Sequence, residues 1–224
     1  EKDDEEMLAL DERFMERPAF AMEICRNASR QMASETMEAI TLALEVVNEY
    51  DKKKAAKVYK LEDKVDHYED KLGSYLVKLS GKNLSKADSE SLSVLLHGMS
   101  DFERISDHAI NIVESAKEMN DKSLVFSKKA KAEMETITRA VHDIVVKTVD
   151  VFNSESVEAA VHIEPLEDVI DGLTKEIKQN HVKRLTKGKC TIELGVILED
   201  VLTNLERVSD HCSNVAVEMV AIHE

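Results

Sequence analysis

The chain reads as an all-α protein of two tandem three-helix bundles lying side by side, six long helices in all. Three observations predict this. Only 6 Gly and 2 Pro occur in 224 residues, too few breakers for a turn-dense β fold. Apolar residues recur at helical spacing along almost the whole length. The second half also repeats the first, and a repeat sets the architecture ahead of any single motif.

Residues 1–17 form an acidic, irregular lead-in whose anchors are Met7, Leu8, Leu10, Phe14 and Met15. The first unit spans 18–122 and the second 123–224. The first helix runs from Pro18, which suits a first turn, to Tyr50. The second runs from Lys52 to Leu79 and stops at Gly81, read as a left-handed cap. The third opens at Ser85, with Asp88 in a capping-box-like position, and ends near Met119. The fourth covers Ser127 to Phe152, and the sixth Thr191 to Ile222. The fifth covers Ser154 to Leu185 and stops at Gly188, with Pro165 inside it. An interior proline costs ~3 kcal/mol or more, so either the helix kinks or a short helix precedes it; a kink is the expectation.

Charge narrows the partners. Net charge is -15, which excludes nucleic acid and disfavours anionic membrane surfaces. Cations are invited, although solubility alone also explains an acidic excess. Cys25, Cys190 and Cys212 are odd in number and lack a CxxC spacing, so they read as buried, reduced thiols. No apolar run approaches ~18 residues, which excludes direct lipid insertion. No Gly-rich phosphate loop and no Ser/His/Asp or Cys/His constellation suggests catalysis.

The repeat places acids at matching positions. Phe102-Glu103-Arg104-Ile105-Ser106-Asp107-His108 aligns with Leu205-Glu206-Arg207-Val208-Ser209-Asp210-His211, and Asn111 with Asn214. Leu61-Glu62-Asp63-Lys64-Val65-Asp66 aligns with Leu166-Glu167-Asp168-Val169-Ile170-Asp171. Four pairs result: Glu62/Asp66, Glu103/Asp107, Glu167/Asp171 and Glu206/Asp210. Acids four residues apart point about 40° apart on a helix, so their carboxylates can converge. Among 45 acidic residues one such pair is ordinary; fourfold repetition on two helices per unit is not. Met99 and Ile110 bracket Glu103 and Asp107, which puts that pair beside the core stripe. Half-buried carboxylates repel or protonate unless a cation joins them. Carboxylate sets suit magnesium, manganese or iron; zinc is less well served.

Other readings stay open. Arg104 and Arg207 could neutralise the acids in a metal-free salt-bridge network. His108 and His211 read as core or interface residues rather than ligands. Asn111 and Asn214 read as hydrogen-bond donors or ligands. The basic cluster Lys183, Arg184, Lys187 and Lys189 closes a helix, where cations offset the dipole. A two-metal enzyme lacks a distinct base or nucleophile here.

The motifs at 103–114 and 61–66, each present twice, resemble the signature of the PhoU family over about residues 18–222. That resemblance implies side-by-side bundles and multinuclear clusters of iron, zinc, nickel or magnesium on the eight acids named above. Val217 stands where Glu114 stands in the first copy, which implies a weaker or smaller second cluster. It also implies a regulator of phosphate transport, in one of two forms. One is a free-standing regulator of a phosphate transporter and its signalling partner. The other is the cytoplasmic tail of a Na/phosphate cotransporter-like protein, tethered to the membrane and contacting the transporter portion of its own chain. The lead-in around Leu10-Asp11-Glu12-Arg13-Phe14, the stretch His181 to Leu194 and the start at Glu1 favour the tail form. A homo-oligomer is compatible with either.

Overall fold

The computed structural model describes residues 10–223, and no strand occurs among them. Six long helices form: α1 Pro18–Asn48, α2 Lys52–Ser80, α3 Lys86–Asp121, α4 Lys128–Ser154, α6 Glu164–Thr186 and α7 Ile192–His223. The short helix α5, Val157–Ala160, lies between α4 and α6. Side-chain caps start several of these. Asp51 accepts from the Lys53 and Lys54 amides at 2.7 and 2.9 Å. Ser85 accepts from the Asp88 amide at 3.0 Å, while its hydroxyl donates to the Asp88 carboxylate at 2.9 Å. These contacts satisfy amides that lack a partner inside the helix.

Two expectations are corrected. No kinked helix spans Pro165: the chain breaks after α4, forms α5, and restarts so that Pro165 falls in the first turn of α6. There its missing N–H forfeits nothing. The break itself uses Glu155 at φ 51, a left-handed cap on a non-glycine residue. Gly81 is not left-handed either; its φ is -78, whereas Gly188 is at +63.

Part of the lead-in falls within the description. Glu12–Glu16 is a 3-10 turn with Met15 buried, and the Tyr75 hydroxyl donates to the Asp11 carbonyl at 3.0 Å. Phe14 packs edge-on against Phe20 at 5.2 Å. The anchors Met7 and Leu8 lie outside the described residues.

In the first unit α1, α2 and α3 pack on one another; in the second, α4, α6 and α7 do. The most extensive helix–helix contact joins the units, between α3 and α7. These run antiparallel: His97 near the start of α3 lies 3.9 Å from Glu218 near the end of α7, and Lys122 just past α3 pairs with Glu193 at 2.7 Å. A single hydrophobic cluster therefore runs through both units. Phe152 of α4 stacks edge-on on Phe102 of α3 at 4.9 Å. Arg26 of α1 adds a polar tie, reaching Asp88 of α3 at 2.9 Å and Glu155 at 3.5 Å.

Gly98 permits the α3–α4 approach, because a Cβ there would meet Phe152 Cε2 at 2.5 Å. Gly98→Ala is expected to destabilise the protein by about 1–3 kcal/mol through overpacking. Gly172→Ala, on an α6 face with nothing within 4 Å, is expected to stabilise it by about 0.5–1 kcal/mol. Urea unfolding of both variants tests this pair of opposite signs.

Candidate metal centres

The four acid pairs lie along two seams, α2–α3 and α6–α7, where an inward stripe meets a wet face. In the second unit Glu167, Asp171 and Asp210 each bring one carboxylate oxygen within 4.8 Å of the others. Glu206 lies near enough to raise the Asp171 carboxyl, but its Oε2 accepts from Lys178 Nζ at 3.3 Å. In the first unit the charges of Asp66 and Asp107 act on both Glu62 and Glu103. Among the described residues, however, only the second unit draws three ligand oxygens that close together.

Electrostatics mark both seams. Burial raises Glu62 above the ordinary carboxylate range, and the charges of Asp63, Asp66 and Asp107 add to it. Burial also raises Glu103, helped by Asp107, Glu69 and Asp66 and opposed by Arg104. Glu167 is raised by burial and then by Asp171 and Asp210. Asp171 is raised by burial and then by Glu206 and Asp210. Each shift records burial first and the charge of neighbouring carboxylates second. The donor set is all oxygen, which fits hard cations such as magnesium, manganese or iron better than zinc or nickel.

Arginine only partly answers the acids. Arg104 reaches Glu103 at 3.5 Å and Asp107 at 3.7 Å, and Arg207 reaches Asp210 at 3.4 Å. Both side chains are more than half exposed, where such pairs contribute little.

The histidines and asparagines build the joint between the units instead. His108 Nδ1 and Asn111 Nδ2 lie 2.8 and 3.1 Å from Asn204 Oδ1 of α7. His211 Nδ1 and Asn214 Nδ2 lie 2.8 and 3.3 Å from Asp101 Oδ1 of α3. An amide or carboxylate oxygen only accepts, so each Nδ1 carries the proton it donates. The two rings are 5.6 Å apart. Burial lowers His108 from its ordinary value, against the hydrogen bond to Asn204.

Several residues here were not singled out from the sequence. Glu69 lies three residues past Asp66, within reach of the same helix face, so spacing alone could have flagged it. Asp101 and Asn204 directly precede the aligned blocks, and extending the alignment by one residue would have paired them. Arg184 of the basic cluster does more than offset a dipole: it pairs with Glu133 of α4 at 2.8 Å. Val217 lines an apolar groove with Val161 and Val220, away from the four acids of its unit.

A doubled three-helix unit carrying mirrored acid pairs on its second and third helices defines one class of protein. The PhoU domain family matches residues 29–116 and 134–219, and the chain belongs to the PhoU family. A curated relative, the phosphate-specific transport system accessory protein PhoU homolog 1 of Thermotoga maritima, is 25% identical over 85% of this chain and 81% of its own length. The crystal structure of PhoU from Pseudomonas aeruginosa superposes with a TM-score of 0.83 at 19% identity, covering 90% of this chain and 96% of that one. The phosphate transport system regulatory protein PhoU from Streptococcus pneumoniae does so at 0.81 and 14% identity, covering 92% and 96%.

These matches overturn the cotransporter-tail expectation: all three relatives are named PhoU, two of them for phosphate transport systems, and this chain spans most of their length. The features that suggested a tail have local explanations. Met15 and Phe14 pack the lead-in on the domain, and buried His181 sits where a Cβ on Gly195 would be 2.5 Å from its Nε2. No described helix is long and apolar enough to cross a membrane.

Two outcomes follow from these environments. Glu167 binds its proton more tightly folded than unfolded, so ionising it costs stability in full at neutral pH. That cost fades as pH falls through the raised value toward the ordinary 4.5. In chelator-treated protein, Glu167→Gln is therefore expected to be more stable than wild type near neutrality, and the gap in urea midpoint should shrink below about pH 5. A gap independent of pH would refute the assignment. Burial pushes the Cys25 and Cys212 thiols up to about 12, so a thiol reagent should titrate Cys190 alone until the protein is unfolded.

Proposed function

We propose that this protein is a metal-binding, non-catalytic regulator of a phosphate transport system, acting in the cytoplasm on a phosphate transporter or its signalling partner. The observation that carries the metal reading is the convergence of Glu167, Asp171 and Asp210 oxygens within 4.8 Å, in a motif present in both units. Glu62, Asp66, Glu103 and Asp107 would hold one cluster; Glu167, Asp171, Glu206 and Asp210 the other. Bound cations would offset the burial and mutual repulsion that raise Glu62, Glu103, Glu167 and Asp171. They would also turn parts of a surface of net charge -15 from anion-repelling to anion-accepting. The link to phosphate transport rests on the family and on what the relatives are named for.

A salt-bridged scaffold without metal is the second reading, favoured by the contacts of Arg104 and Arg207. One pair of measurements separates the two. Elemental analysis of protein purified without chelator, with thermal melts in Mn²⁺, Mg²⁺ and Fe²⁺, is expected to show bound metal and a rise in melting temperature. Glu103→Gln with Asp107→Asn should reduce the bound metal and the rise. If no metal is retained, and the double variant melts at or above wild type with or without cation, the scaffold reading stands instead.

A further inference from the structure

The two seams match in their acids but not in their surroundings. The alignment that pairs Leu72 with Ile177 pairs Gly73 with Lys178. Lys178 sits two turns past Asp171 on the acid-bearing side of α6. Its Nζ lies 3.3 Å from Glu206 Oε2 and 3.9 Å from Glu199 Oε2, both on α7. Glu206 is the one acid of the second set that stands outside the group of converging oxygens. At the aligned positions of the first seam, glycine replaces the lysine and Leu96 stands where Glu199 stands. Glu69 presses on Glu103 in the first seam, where the second has the neutral Thr174.

We propose that Lys178 is a built-in cation of the second seam, which a metal ion must displace to recruit Glu206, so that the second centre binds metal more weakly than the first. This rests on the metal-binding reading above. The lysine is suited to displacement, being partly exposed and bonded at 3.3 Å rather than at close range. While Lys178 remains, it repels a divalent ion and withholds a ligand. The protein thereby gains two thresholds of cation concentration from one repeated motif. The first centre stays filled and the second responds to change.

Mn²⁺ titration calorimetry on chelator-treated full-length protein tests this. Asp66→Asn with Asp107→Asn isolates the second centre. In that background Lys178→Gln is expected to tighten Mn²⁺ about tenfold, since a unit charge a few ångström from a divalent ion repels it by roughly that factor even in water. The converse arm isolates the first centre with Asp171→Asn and Asp210→Asn. There Gly73→Lys should weaken Mn²⁺ binding; its Cβ would meet Met99 Cε at an ordinary 3.7 Å, so a side chain can leave the backbone there without a clash. Circular dichroism confirms folding of each variant, and either arm suffices if the other is unstable. Binding in both backgrounds with neither substitution changing affinity overturns the role of Lys178 alone. Absence of Mn²⁺ binding in wild type and in both backgrounds overturns the metal reading, and this inference with it.

Discussion

The antiparallel contact of α3 with α7 is the constraint on which the rest of the molecule depends. Each unit has three helices, and one hydrophobic cluster runs through both: Phe152 of the second fills the space left at Gly98 of the first. The joint is related to itself by an approximate twofold. His108 and Asn111 address Asn204, and His211 and Asn214 address Asp101. Directional bonds at this seam fix the register of two long apolar stripes that hydrophobic contact alone would let slide. The same register sets where Glu103, Asp107, Glu206 and Asp210 come to lie, because they share those two helices with the joint.

The symmetry is broken at one place within the joint. Asp101 and Asn204 occupy equivalent positions, so one histidine faces a carboxylate and the other a neutral amide. His211 Nδ1 lies 2.8 Å from the Asp101 carboxylate, whereas His108 meets the Asn204 amide oxygen and is held toward its neutral form by burial, against that hydrogen bond and the charge of Asp107. Together with Lys178 opposite Gly73, this makes the two halves electrostatically different despite one fold. A duplicated unit whose copies keep the same backbone can diverge cheaply in this way, since exposed and half-buried charges alter a site without altering the core.

Much of this was legible in the sequence, for identifiable reasons. Helical periodicity and scarce breakers give six long helices, with ends close to those observed except the start of the fifth, expected at Ser154 and found at Glu164. Ser85 and Asp88 announced their cap because its chemistry is local. The break before Pro165 was read as a kink, because the sequence shows a proline but not that Glu155 adopts φ 51 to end α4 first. The acid pairs were visible through repetition. Their degree of convergence is not, because it depends on how helices distant in sequence pack, as the reach of Lys178 to Glu206 illustrates. The form within the family is not legible for a similar reason: the lead-in and the His181 stretch are distinctive in sequence, yet their residues serve local packing.

The placement of the acids at seams between helices, rather than on one helix face, bears on how a regulator could work. Glu167 and Asp171 belong to α6 and Asp210 to α7, so an ion shared among them acts on the relation of two helices. A ligand shifts a conformational equilibrium only by the difference in its affinity for the two states. Carboxylates that repel one another supply such a difference: splaying the helices relieves repulsion in the empty site and forfeits coordination in the filled one. The α6–α7 seam is the more responsive place for this. Its opposite side rests on fewer buried side chains than the α2–α3 seam, since α6 buries only Ile170, Thr174, Ile177 and His181, whereas α2 buries nine residues. A cation threshold set by Lys178 would therefore act on the less firmly packed helix of the two, where a small electrostatic change moves the most structure.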